Sequence, residues 1–335
     1  MNAKKITAIV LCAVMGLTTA VFTVLSVINI VSDKNGGAGM QAAVENKAAG
    51  YVMSTPVVAD SKETSIDSVV SNNYKNTVFP EGIREELKAA YAVNNNLVGW
   101  LSIPGTEIDT AVLQSETAQK DRYLKYDFYE DYTYETTNQN YGNLYLHHTC
   151  SNGAELSRNM VIHGHTTGKS SGVPKQAFRS LYDYRDMQHF IENPIIKYST
   201  LYGEHTYKIC AVFMSSTQKK DDNGYMFNYI YPNMSESNMV GYINQVKQRM
   251  LYETGVSLEP TDKIITLSTC IYDFGGDIDT RLVVVGRLLH EGEIESVDAS
   301  LVRDNPDYRR PQAWYNKKGM NNPYKNTEAW QPSDK

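Results

Sequence analysis

Eight short runs of β character, each set off from the next by turn residues, limit the folds open to this chain. They are Val98–Ile103, Ile108–Leu113, Leu144–His148, Met160–His163, Ile195–Tyr198, Tyr207–Met214, Ile264–Thr269 and Leu282–Leu289. Many short strands with turn signals between them predict an all-β barrel or sandwich. Helical character interrupts the series at Met187–Glu192 and more clearly at Ser235–Tyr252. There Ser235 is placed to cap, and Met239, Ile243, Val246 and Met250 keep helical spacing. Ahead of the series, Glu81–Tyr91 has helix-forming composition, with Ile83, Leu87 and Tyr91 spaced so that one face can pack.

The last two β runs carry chemistry as well as packing. Ile264, Ile265 and Leu267 with Thr266 and Thr269 read as a buried strand, Arg281 to Val285 as a second, and Asp273 to Asp279, with Gly275-Gly276, as the turn between them. Side chains alternate along a strand, so Thr266, Ser268 and Cys270 share one face, as do Arg281, Val283 and Val285. A cysteine next to a cation is a candidate thiolate nucleophile, whereas a cysteine that merely closes an apolar strand is usually packing. What favours reactivity is the upstream segment Asn159-Met-Val-Ile-His-Gly-His-Thr-Thr-Gly168, a strand running into a glycine-containing loop that delivers His165 as a candidate base.

These residues resemble a known family. Thr266-Leu-Ser-Thr-Cys270, Arg281-Leu-Val-Val-Val-Gly286 and Val161-Ile-His-Gly-His165 look like the three signature segments of sortases, the cysteine transpeptidases of Gram-positive cell walls. The run from Asn96 to Asp109, with Tyr141-Gly-Asn-Leu-Tyr145, resembles the class B branch, and the likeness extends over roughly residues 81 to 290. The resemblance implies a mostly β (α+β) fold: a closed sortase-type β-barrel with an N-terminal helix and a helix inserted before the catalytic strand. It implies that Cys270 attacks a threonine carbonyl in a C-terminal sorting signal and leaves a thioester. His165, which follows a glycine as the family's base does, would protonate the departing amine and later deprotonate the incoming one. Arg281 would hold the substrate carbonyl or the developing oxyanion. Ser268 and Thr269 are the expected substrate contacts.

The partners so implied are surface proteins bearing the sorting signal and an amine of a peptidoglycan precursor, a cross-bridge or a pilin. No cofactor is expected. His147, His148, His163 and His165 cluster with Cys150 nearby, and His163 and His165 share a strand face that suits zinc, yet no Asp or Glu completes a catalytic set. The expectation is therefore no metal, and the resemblance, in which an aromatic residue often holds this position, implies that His163 is a packing or groove residue. Other Cys–His enzymes of cell-wall chemistry differ in order: an L,D-transpeptidase has its His close before the Cys, and a papain-like hydrolase has its Cys upstream of the His. A non-catalytic β-barrel adaptor is the remaining alternative, and retention of all three signature residues argues against it.

The chain ends read differently. Lys4-Lys5 precede an almost uninterrupted apolar run from Ile6 to Ile30, long enough to span a bilayer and longer than the apolar region of a cleaved signal peptide. The expected organisation is a cytoplasmic start and transmembrane anchor over 1–34, a flexible extracytoplasmic tether over 35–80, a catalytic barrel over 81–292 and a polar extension over 293–335. That places the protein in the cell membrane as a single-pass chain, its N-terminus cytoplasmic and membrane lipid a partner. The extension lacks periodicity; it could wrap the barrel through Trp314 and Trp330 or stay loose, and the second is the default expectation. A net charge of −6 offers no basic stripe for nucleic acid. Among the cysteines, Cys150–Cys210 is the pairing that would spare Cys270.

Overall fold

The computed structural model describes residues 74–132, 142–166 and 178–333. The Ile6–Ile30 run and the tether through residue 73 lie outside them. Among the described residues no helix is long and apolar enough to cross a membrane. The chain divides into two compact units, Met1–Leu97 and Val98–Lys335. Helix α1 (Glu85–Val93) buries Leu87 and Ala90. It begins later than composition predicts because Gly82, at φ 77°, holds a left-handed turn that a helix cannot include.

All eight expected β runs are strands, and they close a barrel in the order β1-β2-β3-β4-β8-β9-β6-β5. These are β1 (Leu97–Ser102), β2 (Asp109–Leu113), β3 (Leu144–Leu146), β4 (Asn159–His163), β5 (Ile195–Thr200), β6 (Glu204–Ser216), β8 (Ile264–Ile271) and β9 (Thr280–Leu288). Helix α2 (Met187–Glu192) lies between β4 and β5. Helix α3 (Glu236–Arg249) follows β6, and the Ser235 hydroxyl accepts from the Asn238 backbone N–H at 3.3 Å, capping it as expected.

Alternation along β8 and β9 sorts side chains into two apolar layers. Ile265, Leu267, Ile271, Leu282 and Val284 belong to the core enclosed by the barrel. Ile264, Val283 and Val285 lie on the other face, packed with Phe227 and with Met239, Tyr242, Ile243 and Val246 of α3. Each such side chain fully removed from water contributes roughly 1.5–3 kcal/mol before ordering costs. Cys270 and Arg281 share the parity of this outer face, so α3 and the segment before it form one wall beside them.

The polar extension corrects its expectation: it is packed, not loose. Strand β10 (Arg303–Asp304) pairs with β7 (Tyr252–Glu253), and helix α4 (Gln312–Lys318) ends on Gly319 at φ 65°. Trp330 meets Phe227 and Tyr242 edge-on, with ring centroids 5.9 and 6.3 Å apart. Isolated anchors hold it rather than a continuous apolar face, so it has no periodic signature. Cys150 and Cys210 are both free and buried, Cys150 donating to the Asn159 carbonyl at 3.5 Å and Cys210 to that of Val285 at 3.4 Å.

Candidate active site

Three neighbouring strands set the site. β8 and β9 are antiparallel with Cys270 directly across from Arg281, and β4 runs parallel to β8 with His163 across from Ser268. Paired residues project to the same face. Counting onward from His163 and Ser268 brings His165 level with Cys270. The loop is pinned there: the Gly164 N–H donates to the Ser268 carbonyl at 3.2 Å, and the Thr269 hydroxyl donates to the Gly164 carbonyl at 2.9 Å. A side chain at Gly164 would run into Leu144 and Phe178, which is why a glycine must precede this histidine.

A distant backbone group orients His165. Its Nε2 lies 2.9 Å from the Leu124 carbonyl, which can only accept, so the proton sits on Nε2 and the lone pair on Nδ1. Burial lowers the imidazole from its ordinary value, the Leu124 hydrogen bond partly opposing and Arg281 adding to the effect. Burial pushes the Cys270 thiol up; the Arg281 guanidinium pulls it back, and Asp279 adds to the rise. Both shifts are in the direction that favours the neutral forms, a thiol and an uncharged imidazole.

Arg281 forms an ion pair with Asp279. Burial disfavours ionised Asp279, but hydrogen bonds from Thr217 and Arg281 outweigh it and hold the carboxyl below its ordinary value. Arg281 is thus paired with a carboxylate of the turn before it, yet the guanidinium remains partly exposed beside a partly exposed thiol.

Ser268 and Thr269 are buried, at 3% and 1% exposure. The Ser268 hydroxyl shares a 2.9 Å hydrogen bond with Tyr229, and that of Thr269 is engaged by Gly164. Their side chains therefore brace the strand ends from within. His163 stacks between Tyr145 and His147, at 5.2 and 5.4 Å, and burial lowers its imidazole to about 3 and that of His147 to about 4. Neutral rings at neutral pH suit the packing role expected of His163. Among the described residues no group of three His, Cys, Asp or Glu side chains is arranged to hold a metal ion.

Three contributors have no local sequence signal: Leu124, which acts through its carbonyl, Tyr229 and Tyr182. The Tyr182 hydroxyl donates to the Cys270 carbonyl at 2.9 Å. Each meets the site through tertiary contact.

A family model described as a sortase domain matches residues 101–289. Sortase B of Listeria monocytogenes is 30% identical over 209 residues, 62% of this chain and 75% of that protein. Sortase B of Staphylococcus aureus is 24% identical over 210 residues, 62% of this chain and 77% of that protein. Among solved structures, a Staphylococcus aureus sortase B–substrate complex superposes with a TM-score of 0.52 at 21% identity, covering 78% of this chain and 100% of that one. The similarity to that structure is one of fold.

Proposed function

The chain belongs to the sortase family, as a cysteine transpeptidase of class B type, and from that premise we propose the residues, steps and location of its reaction. The observation that carries the reading is the Cys270–Arg281 pairing across β8 and β9, with the His165 loop tied to the same strand end. Cys270 passes its proton to Nδ1 of His165 and attacks the carbonyl carbon of a threonine in a C-terminal sorting signal. The carbonyl electrons move onto oxygen, and Arg281 stabilises that oxyanion. Collapse breaks the peptide C–N bond as the His165 imidazolium protonates the leaving amine, and a thioester remains on Cys270.

The second half runs in reverse with a new amine. His165 takes a proton from the incoming nucleophile, an amine of the cell wall or of a pilin, and the C–S bond breaks as the new amide forms. Tyr182 and Thr269 hold the backbone on either side of the thiol, so they enter as positioning residues, and Ser268 contributes to the floor of the groove. The test is mass spectrometry of the protein trapped with a peptide library: a peptide thioester on Cys270 supports the reading, and turnover with the adduct elsewhere defeats it.

The domain plan and location are part of the same proposal. The Ile6–Ile30 run anchors the chain in the cell membrane with Lys4 and Lys5 inside, and 35–80 tethers the catalytic residues outside. Protease added to intact cells should remove the catalytic portion and spare a short membrane fragment. Full protection would rule this arrangement out.

A further inference from the structure

Beyond the barrel's usual end, the extension completes a cleft with an unbalanced charge. Arg309 of the extension and Arg249 of α3 are 5% and 3% exposed and line it together with Ser215, Asp222, Tyr225 and Arg310. The cleft is small and opens to solvent, too tight to admit a whole peptide.

Asp222 is the one carboxylate in that lining, and it is already committed. It accepts from Arg309 Nη2 at 3.2 Å and from the Gln312 backbone N–H at 3.0 Å. The adjacent Asp221 is bound to the Ser216 hydroxyl. Among the described residues Arg249 has no carboxylate in ion-pair range. Its Nη1 donates to the Gln245 carbonyl and Oε1 at 2.9 and 2.8 Å, and its plane lies 4.9 Å from the Phe227 ring centre. Arg309 Nη1 donates to Gln248 Oε1 at 3.3 Å, while its buried Nε has no hydrogen-bond partner. Burial, with Arg309 close by, lowers Arg249 to about 10, and Tyr225 and Asp222 oppose the fall only in part. A buried charge is costly unless paired, and a buried donor left unmade costs its full desolvation.

The cleft adjoins the reaction site. Ser215 is the Cα partner of Arg281 across β6 and β9, on the side away from Cys270. Adjacent strands lie about 4.8 Å apart, and paired residues share a face. We propose that this cleft is an anion subsite that takes a carboxylate carried by one of the two peptide substrates, held between Arg249 and Arg309 beside Arg281. Planar guanidinium forks match a carboxylate with two parallel hydrogen bonds. The proposal rests on the transpeptidase reading and adds a substrate feature to it: a negative group one strand beyond the scissile bond. Because Arg309 comes from the extension, the residues after the barrel acquire a role in substrate choice.

The test uses the full-length chain and two peptide pairs. The acceptor is triglycine as free acid or amide, and the donor is a library-derived sorting peptide ending in acid or amide. In one pair the amide should raise KM by about tenfold, as expected for loss of one charge-assisted contact, and that pair names the source. In the same pair Arg309→Gln should bring the acid-to-amide ratio close to one, while Arg309→Lys, which keeps charge but not the fork, retains part of it. Equal KM values in both pairs, with the Cys270 thioester still forming, overturn the subsite alone. Absence of any thioester overturns the catalytic reading and the subsite with it. A ratio unchanged in a folded Arg309→Gln also overturns the subsite. Should that variant fail to fold, the wild-type comparison of acid and amide still decides.

Discussion

Cys270 beside Arg281 and Cys210 beside Arg287 are two thiol–guanidinium neighbourhoods at opposite ends of β9. Cys210 is 2% exposed, sits at a bulge in β6, and burial pushes its thiol up to about 12 despite the pull of Arg287. Arg287 is also spoken for: Nη1 and Nη2 grip Glu293 at 2.6 and 2.8 Å, and Lys208 adds a third bond at 2.6 Å. At the other end the thiol is partly exposed, its cation partly open to solvent and a histidine loop fastened alongside. A neighbouring cation does not make a cysteine a nucleophile. Access and a base held at the same strand end do, and a guanidinium closed into a carboxylate network stabilises fold instead.

The largest effect separates the two thiols. Cys270→Ala should abolish peptide cleavage, while Cys210→Ala and Cys150→Ala leave most of it, measured as initial rates on one peptide. Full activity in Cys270→Ala would end the assignment.

Next come the two arginine neighbourhoods. Arg281→Ala should lower turnover by about 10²–10³, roughly 2.7–4 kcal/mol, with melting temperature nearly unchanged. Arg281→Lys should recover little, because the planar fork is lost. If both variants lose little in either measurement, Arg281 is only the surface partner of Asp279, worth about 0–1 kcal/mol. Glu293→Gln should do the opposite, costing roughly 3 kcal/mol of stability by leaving Lys208 and Arg287 unpaired, with turnover retained.

That network also has a pH signature. Arg287, followed by Lys208, holds the Glu293 carboxyl well below its ordinary 4.5 against the cost of burial. A depressed carboxyl stabilises the fold above its unfolded value and loses that contribution as pH falls toward the folded one. The melting gap between wild type and Glu293→Gln should therefore be full at neutral pH, begin to narrow below the ordinary value of 4.5 and keep shrinking as acid approaches the depressed folded value. A gap that persists in acid would mean that Glu293 acts through packing.

The smallest effect is on thiol reactivity. Arg281 favours the Cys270 thiolate and Asp279 opposes it, so Arg281→Ala should slow iodoacetamide labelling of Cys270 and Asp279→Asn should speed it. Each pKa unit is worth about tenfold in thiolate fraction. Cys210 should label only after unfolding, and native labelling of Cys210 would erase the contrast between the two ends of β9.

Local order was written in the chain. β-branched runs and alternation mark all eight barrel strands, and helical spacing with the Ser235 cap marks α3, because these signals act between residues a few positions apart. The segments around His165, Cys270 and Arg281 stood out for the same reason, each being a short stretch with its own pattern. The tertiary structure decided what depends on separate parts of the chain meeting. It closed the strands into a barrel, and it brought the Leu124 carbonyl to His165 and so chose the tautomer. It turned the hydroxyls of Ser268 and Thr269 to internal partners, buried Cys210 while leaving Cys270 accessible, and laid Trp330 and Arg309 of the aperiodic extension against α3 and the segment before it. Burial and long-range partners follow from the packing of the whole barrel, so no window of sequence contains them.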